Sequence, residues 1–383
     1  TVNYSASEFF GSLTKSPRDA AIEMANAEFG VQAQVTRREI NRDIDQKLAE
    51  TDQQIADVDQ RLADINQQLS PQMQNGVGGL GTIGFAPLDD ARALMAEGRT
   101  LTEQKSALEA QRAGLEQARN LPDTMDMGFI SRDVYEAQSK LTNSHINRLS
   151  DQDLAELGFE PSLLENKETG FRASVYRNSN TGETVLAFQG TNFDSVEDWK
   201  NNVAQGLGLT SPQYEQAKEV ATEFQQAFAG ENLALTGHSL GGGMAAYASL
   251  STGIEATTFN AAGLNPRTLD RIGATREEAL GLVSAHHVNG EALNWAQDST
   301  AADLAAAGIL GYGYARSSNF DPVPEALGTR FSYEAVSING LPPDYQGNLL
   351  DDLGERVDLH LMESVLNTLQ QERQRIFDET RLQ

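Results

Sequence analysis

The stretch Leu233–Gly243 constrains the fold of this 383-residue chain more than any other part of the sequence. Its first four residues read as a buried strand, the G-x-S-x-G pattern of residues 237–241 follows, and small residues typical of a closely packed helix come next. A strand that passes directly into a helix needs a sharp turn, where glycine two residues on either side of Ser239 avoids steric clashes. Free N–H groups and the helix dipole at such a turn stabilise negative charge. The pattern predicts Ser239 as a nucleophile, and the alternative is a tight glycine turn with an idle serine.

Predicted strands and helices alternate around this turn. Residues 171–177 and 184–188 are apolar or alternating runs on either side of an Asn-, Ser- and Gly-rich turn, which predicts a β-hairpin. Further strands are predicted at 233–236, 256–259, 282–288 and 331–336, and helices at 211–229, 241–250, 266–280 and 357–377. This alternation is typical of an α/β sheet with helices on both faces.

A different pattern fills the first 120 residues. Apolar side chains recur at alternating spacings of four and three residues, interrupted once by Thr51, at Ile44, Leu48, Ile55, Val58, Leu62, Ile65 and Leu69. A second run carries leucine at every seventh position: Leu94, Leu101, Leu108 and Leu115. Heptad spacing of this kind predicts two coiled-coil helices, over 31–69 and 88–118, that pack as an N-terminal antiparallel helical hairpin. We therefore expect a helical region at 1–120 and a catalytic domain at 121–383. The alternative for the hairpin is an arm without chemistry.

The segment between the two predicted helices, residues 71–88, combines glycine with apolar residues. Residues 76–81 match G-x-G-x-x-G, but a polar helix and not a hydrophobic strand precedes them, so the match does not indicate a dinucleotide site. We expect an apolar tip that contacts lipid or covers a site, and residues 301–314 are a second candidate for such a lid. The alternative is a plain turn.

Composition excludes several classes of function. The chain has 29 basic and 55 acidic residues and a net charge of −26, so it repels phosphate backbones and is not expected to bind nucleic acid. It has no cysteine, which excludes disulfides and thiolate catalysis. No run of about 18 apolar residues is present, and the first thirty residues lack the apolar centre of a signal peptide. The protein therefore stays inside the cell, leaves by a leaderless route, or was processed before residue 1.

The catalytic base follows by elimination among five histidines: His145, His238, His286, His287 and His360. In a serine hydrolase with this turn the chain order is nucleophile, acid, base. His145 precedes the serine, and His238 lies inside the motif itself. The two neighbouring histidines on the strand 282–288 have no well-placed carboxylate before them. His360 remains as the predicted base, and its alternative is an exposed residue at the start of a helix.

The acid is harder to assign, because many carboxylates lie between Ser239 and His360. An acid that orients the imidazole belongs just beyond the carboxyl end of a strand. Glu291 follows the strand 282–288 in this way and is the preferred acid. Asp321, which precedes a proline in a loop, is the alternative acid. Without a catalytic role, Glu291 would be a charge at the start of the next helix, and Asp321 a turn residue.

Two stretches carry a resemblance to a known family. Leu186–Thr191, with Trp199 eight residues further on, and Gly237–Gly242 resemble the class 3 lipase family of α/β-hydrolases. In that family a hydroxyl residue at this place supplies the oxyanion contact beside the N–H after the nucleophile. The resemblance therefore implies Thr191 for this role, together with Leu240.

The resemblance also bears on the acid. Gln189 stands where the family usually has arginine. The family acid is usually an aspartate followed closely by Val-Pro. Asp321–Pro324 is similar to that pattern, whereas Glu291 departs from it.

Further stretches, residues 198–208, 259–266 and 290–294, resemble a bacterial branch of this family that includes secreted or injected phospholipases. The branch implies a phospholipase A1, a serine carboxylester hydrolase that acts on phospholipid or another lipid ester at an interface and needs no cofactor or metal. Triacylglycerol lipase and esterase are alternatives within the enzymes. A toxin or adaptor whose hairpin binds a protein partner is the alternative from another class. The branch favours secretion by a leaderless route over a cytoplasmic location.

Overall fold

The structure is a computed structural model that describes residues 31–75, 86–141, 144–191, 212–298, 324–335, 356–357 and 359–381. The described residues fall into two compact units, one made of residues within 34–122 and 375–381 and the other of residues within 123–374 and 31–33. We keep the domain division after residue 120 as a proposal. Of the segment 71–88, where the apolar tip was predicted, residues 71–75 and 86–88 are helical, and residues 76–85 lie outside the described residues, as does the second candidate lid at 301–314. In the part of the chain that the structure describes, no helix is long and apolar enough to cross a membrane.

Two long helices, α1 (Val31–Asn75) and α2 (Ala86–Asp133), provide the helical unit. Heptad positions of both helices are buried, among them Ile44, Val58, Ile65 and Leu108. Ion pairs join Asp45 to Arg119, Asp52 to Arg112 and Asp59 to Lys105. In these pairs the residue numbers rise along α1 while those of their partners fall along α2, so the two helices run antiparallel. The predicted helical hairpin is confirmed.

Helix α2 is longer than the sequence indicated. The heptad run was expected to end at Ala118, but the helix continues through Pro122 to Asp133. A proline inside a helix lacks the N–H of the usual hydrogen bond and costs about 3 kcal/mol. Met125 and Ile130, which follow it, are almost completely buried. Burial of such side chains contributes about 1.5–3 kcal/mol each and offsets the cost of the proline.

Among the described residues, eight strands form one mixed sheet in the order β1-β3-β4-β5-β6-β7-β8, with β2 beside β3. The strands are β1 (Ile146–Arg148), β2 (Glu165–Asn166), β3 (Phe171–Asn178), β4 (Glu183–Phe188), β5 (Asn232–His238), β6 (Ala256–Phe259), β7 (Val283–Val288) and β8 (Thr329–Tyr333). β3 and β4 form the predicted antiparallel hairpin. From β4 to β8 neighbouring strands are parallel, so their carboxyl ends meet at one edge.

The helices of this unit are α3 (Asp151–Glu156), α4 (Pro212–Ala227), α5 (Leu240–Thr252), α6 (Pro266–Ile272), α7 (Arg276–Leu280), α8 (Ala292–Asp298) and α9 (Met362–Arg381), and a 3-10 turn covers Pro161–Leu164. The single helix predicted at 266–280 is wrong. Gly273 takes a left-handed conformation with φ 65° and ends α6, and the side chain of Thr275 caps the start of α7. The final helix was predicted from residue 357, but α9 begins at Met362.

Helices cover both faces of the sheet. On one face, α4 and α5 pack with strand residues into the main hydrophobic core. On the other face, the hydroxyl of Thr236 in β5 hydrogen-bonds that of Ser131 in α2 at 2.8 Å. Gly128 of α2 lies against Phe259 of β6 and Leu366 of α9. The predicted α/β sheet with helices on both faces is confirmed.

Candidate active site

Ser239 occupies the turn between β5 and α5. Its backbone angles, φ 57° and ψ −125°, lie in a region that residues other than glycine rarely adopt. Ser239 immediately precedes the first residue of the helix. A Cβ at Gly237 would clash with the carbonyl oxygen of Gly241, and a Cβ at Gly241 would clash with the carbonyl oxygen of Phe188. The two glycines of the motif are therefore required by the close approach of strand and helix, as the sequence predicted.

Three buried side chains that are far apart in the sequence meet at this turn. His360 Nε2 lies 2.9 Å from Ser239 Oγ, and His360 Nδ1 lies 2.6 Å from Glu291 Oε2. The exposed fractions are 0% for His360, 1% for Glu291 and 4% for Ser239. A carboxylate only accepts hydrogen bonds, so Nδ1 carries the proton and Nε2 accepts from the serine hydroxyl. In this tautomer the imidazole can take the hydroxyl proton of Ser239.

Glu291 lies three residues beyond the end of β7 and immediately precedes the first residue of α8. Its Oε2 accepts a hydrogen bond from the N–H of Leu293 at 2.7 Å, and its Oε1 accepts one from the N–H of Asn294 at 2.5 Å. The carboxylate of Glu291 therefore caps the start of α8 and also hydrogen-bonds His360. The sequence had offered these two roles, helix-terminal charge and partner of the base, as alternatives. Fixed donors on both oxygens hold the carboxylate in one orientation towards the imidazole.

His238, the variable residue of the motif, holds the backbone of His360. Its Nε2 lies 2.6 Å from the carbonyl oxygen of His360, and its Nδ1 lies 3.1 Å from Tyr135 Oη. Because a carbonyl oxygen only accepts, Nε2 donates and Nδ1 accepts from the Tyr135 hydroxyl, which in turn accepts from the N–H of Gly190. Burial lowers the pKa of His238 well below its usual value, so the ring is neutral. Both ring nitrogens are occupied, and His238 cannot serve as the base.

Two further histidines lie in buried polar clusters of their own. His145 Nε2 is 2.9 Å from a carboxylate oxygen of Asp126. His286 Nδ1 is 2.7 Å from Tyr333 Oη, and the ring stacks on Phe331. Burial lowers the pKa of His286 to about 3. Over the described ranges, no group of three or more histidine, aspartate and glutamate side chains has a geometry that could hold a metal ion.

The two predicted oxyanion residues come from adjoining segments. Leu240 is the first residue of α5, and half-buried Thr191 follows the end of β4. The clash that a Cβ at Gly241 would make with Phe188 shows that the end of β4 touches the first turn of α5. The alternative acid, Asp321, lies outside the described residues, as does Trp199.

Sequence reasoning missed two residues that contact this site, Tyr135 and Asn260. Asn260 directly follows β6, at the same sheet edge as Ser239, and its amide donates to the carbonyl oxygen of His360 at 3.0 Å. An asparagine just beyond a predicted strand was the available signal. Tyr135 follows α2, about a hundred residues before the motif, and no local pattern connects it to the serine.

Comparison with known proteins defines the class. The family model of the Tle-like phospholipase domain matches residues 126–338, more than half of the chain, and the chain belongs to this family. It is 39% identical over 179 residues to an extracellular phospholipase A1 of Serratia liquefaciens. That match covers 45% of this chain and 54% of the relative, so the chain spans about half the length of that protein. The predicted resemblance to a phospholipase A1-like branch is confirmed.

Two solved structures show weaker similarity. A triacylglycerol lipase from Penicillium expansum is 13% identical with a TM-score of 0.33, over 57% of this chain and 80% of that chain. The native propeptide complex of Rhizomucor miehei lipase is 12% identical with a TM-score of 0.30, over 57% of this chain and 83% of that chain.

Proposed function

We propose that this protein is a serine carboxylester hydrolase that releases fatty acid from phospholipid, with phospholipase A1 activity. The observation that carries the proposal is the position of His360, which hydrogen-bonds Ser239 at 2.9 Å on one side and Glu291 at 2.6 Å on the other. Membership of a phospholipase domain family and the phospholipase A1 relative support phospholipid as the substrate class.

In the proposed reaction, Ser239 Oγ attacks the ester carbonyl while His360 Nε2 takes its proton. Glu291 stabilises the imidazolium that forms, and the N–H groups of Leu240 and Thr191 donate to the oxyanion of the tetrahedral intermediate. His360 then gives the proton to the leaving alcohol, which is the lysophospholipid, and an acyl ester of Ser239 remains. Water, deprotonated by His360, attacks this ester, and as the bond from the acyl carbon to Ser239 Oγ breaks, His360 returns the proton to Oγ and the fatty acid is released. Each step uses side chains and N–H groups of this chain.

The charge of the protein shapes its approach to the substrate. A net charge of −26 repels anionic lipid, so contact with an interface relies on apolar surface. The name of the Serratia relative describes an extracellular protein. We extend that location to this chain, as a protein that acts outside the cell that makes it.

The decisive experiment uses a phosphatidylcholine with different acyl chains at sn-1 and sn-2, beside a triglyceride and a short-chain ester. The wild-type enzyme should release the sn-1 acid, and S239A should release none. S249A is the matched control, because Ser249 is a fully buried serine in α5 that bonds the carbonyl oxygen of Ile254. Unchanged turnover by folded S239A would refute the proposal.

The other outcomes of this experiment separate the alternatives. Preferential hydrolysis of the triglyceride would indicate a triacylglycerol lipase, and activity on the short-chain ester alone an esterase. An adaptor role, in which the helical hairpin of residues 34–122 binds a protein partner, predicts an effect that survives S239A.

A further inference from the structure

Asn260 has a positive backbone φ, which is rare for residues other than glycine. Its φ is 41°, and within the described ranges the only other non-glycine residue with positive φ is Ser239. A side chain makes this backbone region sterically unfavourable, less so for asparagine than for most residues, and glycine occupies it without strain. Asn260 is also 1% exposed. The backbone alone would favour glycine here, so the side chain must contribute something that glycine lacks.

The Asn260 amide joins two segments of the candidate active site. Its Nδ2 donates to the carbonyl oxygens of His360 at 3.0 Å and Leu359 at 3.3 Å. Its Oδ1 accepts the N–H of Val288 at 3.0 Å, three residues before Glu291. One side chain therefore connects the backbone of the proposed base to the strand that ends before the proposed acid.

The carbonyl oxygen of His360 receives a second donor, the Nε2 of His238 at 2.6 Å. We call these two donors, His238 and Asn260, the carbonyl clamp. His238 is the last residue of β5 and immediately precedes Ser239, and Asn260 immediately follows β6. The clamp thus fixes the His360 peptide to the sheet edge from which the nucleophile emerges.

Fixing this peptide matters because it sets the direction of the imidazole. His360 lies in a short helical stretch that ends at a bend at Leu361, just before α9, so its carbonyl group is not held within α9 itself. The imidazole must face Ser239 and Glu291 simultaneously. A misplacement of about 1 Å in such an arrangement can lower the rate by about a hundredfold.

We propose that Asn260 is a positioning residue of the hydrolase, which holds His360 in line between Ser239 and Glu291 through its carbonyl oxygen. This inference rests on the proposed function. It differs from the simpler account in which Asn260 is only a turn residue that tolerates a left-handed conformation.

The variant N260G separates the two accounts, because glycine keeps the turn and removes the Asn260 donor of the carbonyl clamp. On a soluble short-chain ester, N260G should lower kcat about 10–100-fold and change KM less than about threefold. The rate at which a small fluorophosphonate labels Ser239 should fall by a similar factor, since both reactions need the imidazole in place. N260D keeps an acceptor for the N–H of Val288 but places a carboxylate oxygen opposite the carbonyl oxygen of His360. Its kcat and labelling rate should therefore fall at least as far as those of N260G.

The matched control is N178G. Asn178 is also 1% exposed and donates to Asp126 at 2.9 Å, at the far end of β3. N178G should lower the thermal midpoint and leave kcat within about twofold of the wild type, as expected for a purely structural amide.

Two comparisons decide the outcome. If N260G keeps the wild-type kcat and labelling rate while S239A is inactive, Asn260 is only a turn residue and the inference is overturned. If wild type and S239A hydrolyse the ester equally, the proposed function fails instead. Should N260G not fold, N260D carries the same comparison, and an unchanged kcat there overturns the inference equally.

Discussion

Each unit of the molecule contains a carboxylate paired with a basic side chain, but the surroundings of the two pairs are opposite. In the helical hairpin, the side chains of Arg112 and Asp52 are 41% and 53% exposed. In the α/β unit, those of His360 and Glu291 are 0% and 1% exposed. Exposed pairs contribute about 0–1 kcal/mol to stability, whereas buried charges are costly unless every lone pair is satisfied. In the hairpin, the ion pairs therefore define how the two helices are aligned along each other. In the α/β unit, the buried carboxylate of Glu291 lies where the proposed chemistry needs a charge.

The exposed pair of the hairpin and the buried pair of the α/β unit also differ in the groups that surround each charge. Arg112 pairs with Asp52 across the hairpin and with Glu116 one turn along its own helix, within reach of water. The carboxylate of Glu291 instead receives two backbone N–H groups in addition to His360. Removing one side chain from the first pair leaves a solvated partner, but removing His360 leaves a buried carboxylate without its third donor.

The largest expected effect is that of H360A. Because triad members act as one unit, it should lower kcat for phosphatidylcholine hydrolysis by about 10⁴-fold or more, as S239A should. H145A is the control, since His145 is also a buried histidine, bonded to Asp126, and its loss should affect stability alone. A folded H360A enzyme with more than about a tenth of the wild-type kcat would remove His360 from the reaction.

The next effect concerns the acid. E291Q should lower kcat about 10²–10⁴-fold, because the amide cannot stabilise the imidazolium and disturbs the tautomer of His360. D321N should change kcat less than about threefold. Initial rates on one ester measure both variants side by side. The opposite ranking would transfer the role of acid to Asp321.

The third prediction concerns the pH dependence of stability. Burial lowers the pKa of His286 from 6.5 to about 3, so the unfolded chain binds a proton below pH 6.5 that the folded chain does not. The contribution of this group is therefore complete above pH 6.5 and is lost as the pH falls towards 3. As the pH falls through that window, the free energy of unfolding measured with denaturant should decrease more for the wild type than for H286Q, by up to about 1.4 kcal/mol per pH unit. Parallel stability curves would contradict the assignment.

The smallest effect belongs to the hairpin. R112A should lower the free energy of unfolding only slightly, and less at high salt, because Arg112 and its partners are exposed to solvent. It should leave kcat unchanged. A loss of ester hydrolysis in R112A at full stability would show that the hairpin takes part in the reaction and would break the division between the two units.

Features that depend on a local motif, on the order of residues along the chain or on a position after a strand could be predicted from the sequence. The turn at Ser239 was predictable because G-x-S-x-G lay between a strand and a helix. Chain order left His360 as the predicted base, and its place after a strand made Glu291 the preferred acid over Asp321. The hairpin register was also available and was missed. Asp45, Asp52 and Asp59 recur every seven residues, as do their partners Lys105, Arg112 and Arg119.

Features that depend on tertiary contacts could not be read in this way. The helix α2 passes through Pro122 because buried side chains beyond it offset the lost hydrogen bond, which local propensity does not show. Tyr135 and Asn260 reach the site only because the sheet brings distant segments to one edge. Their partners, the carbonyl oxygen of His360 and the N–H of Gly190, are backbone groups that carry no sequence signature.

The central claim is that one serine, activated by His360 and Glu291, performs the hydrolysis. Titration of the wild-type enzyme with a fluorophosphonate tests it most directly, with phosphatidylcholine hydrolysis and modification of Ser239 measured in the same samples by acid release and peptide mass spectrometry. The account predicts that residual activity falls linearly with the modified fraction of Ser239 and reaches zero at one label per chain. Full modification of Ser239 with activity retained, or complete inactivation with the label on another residue, would contradict it.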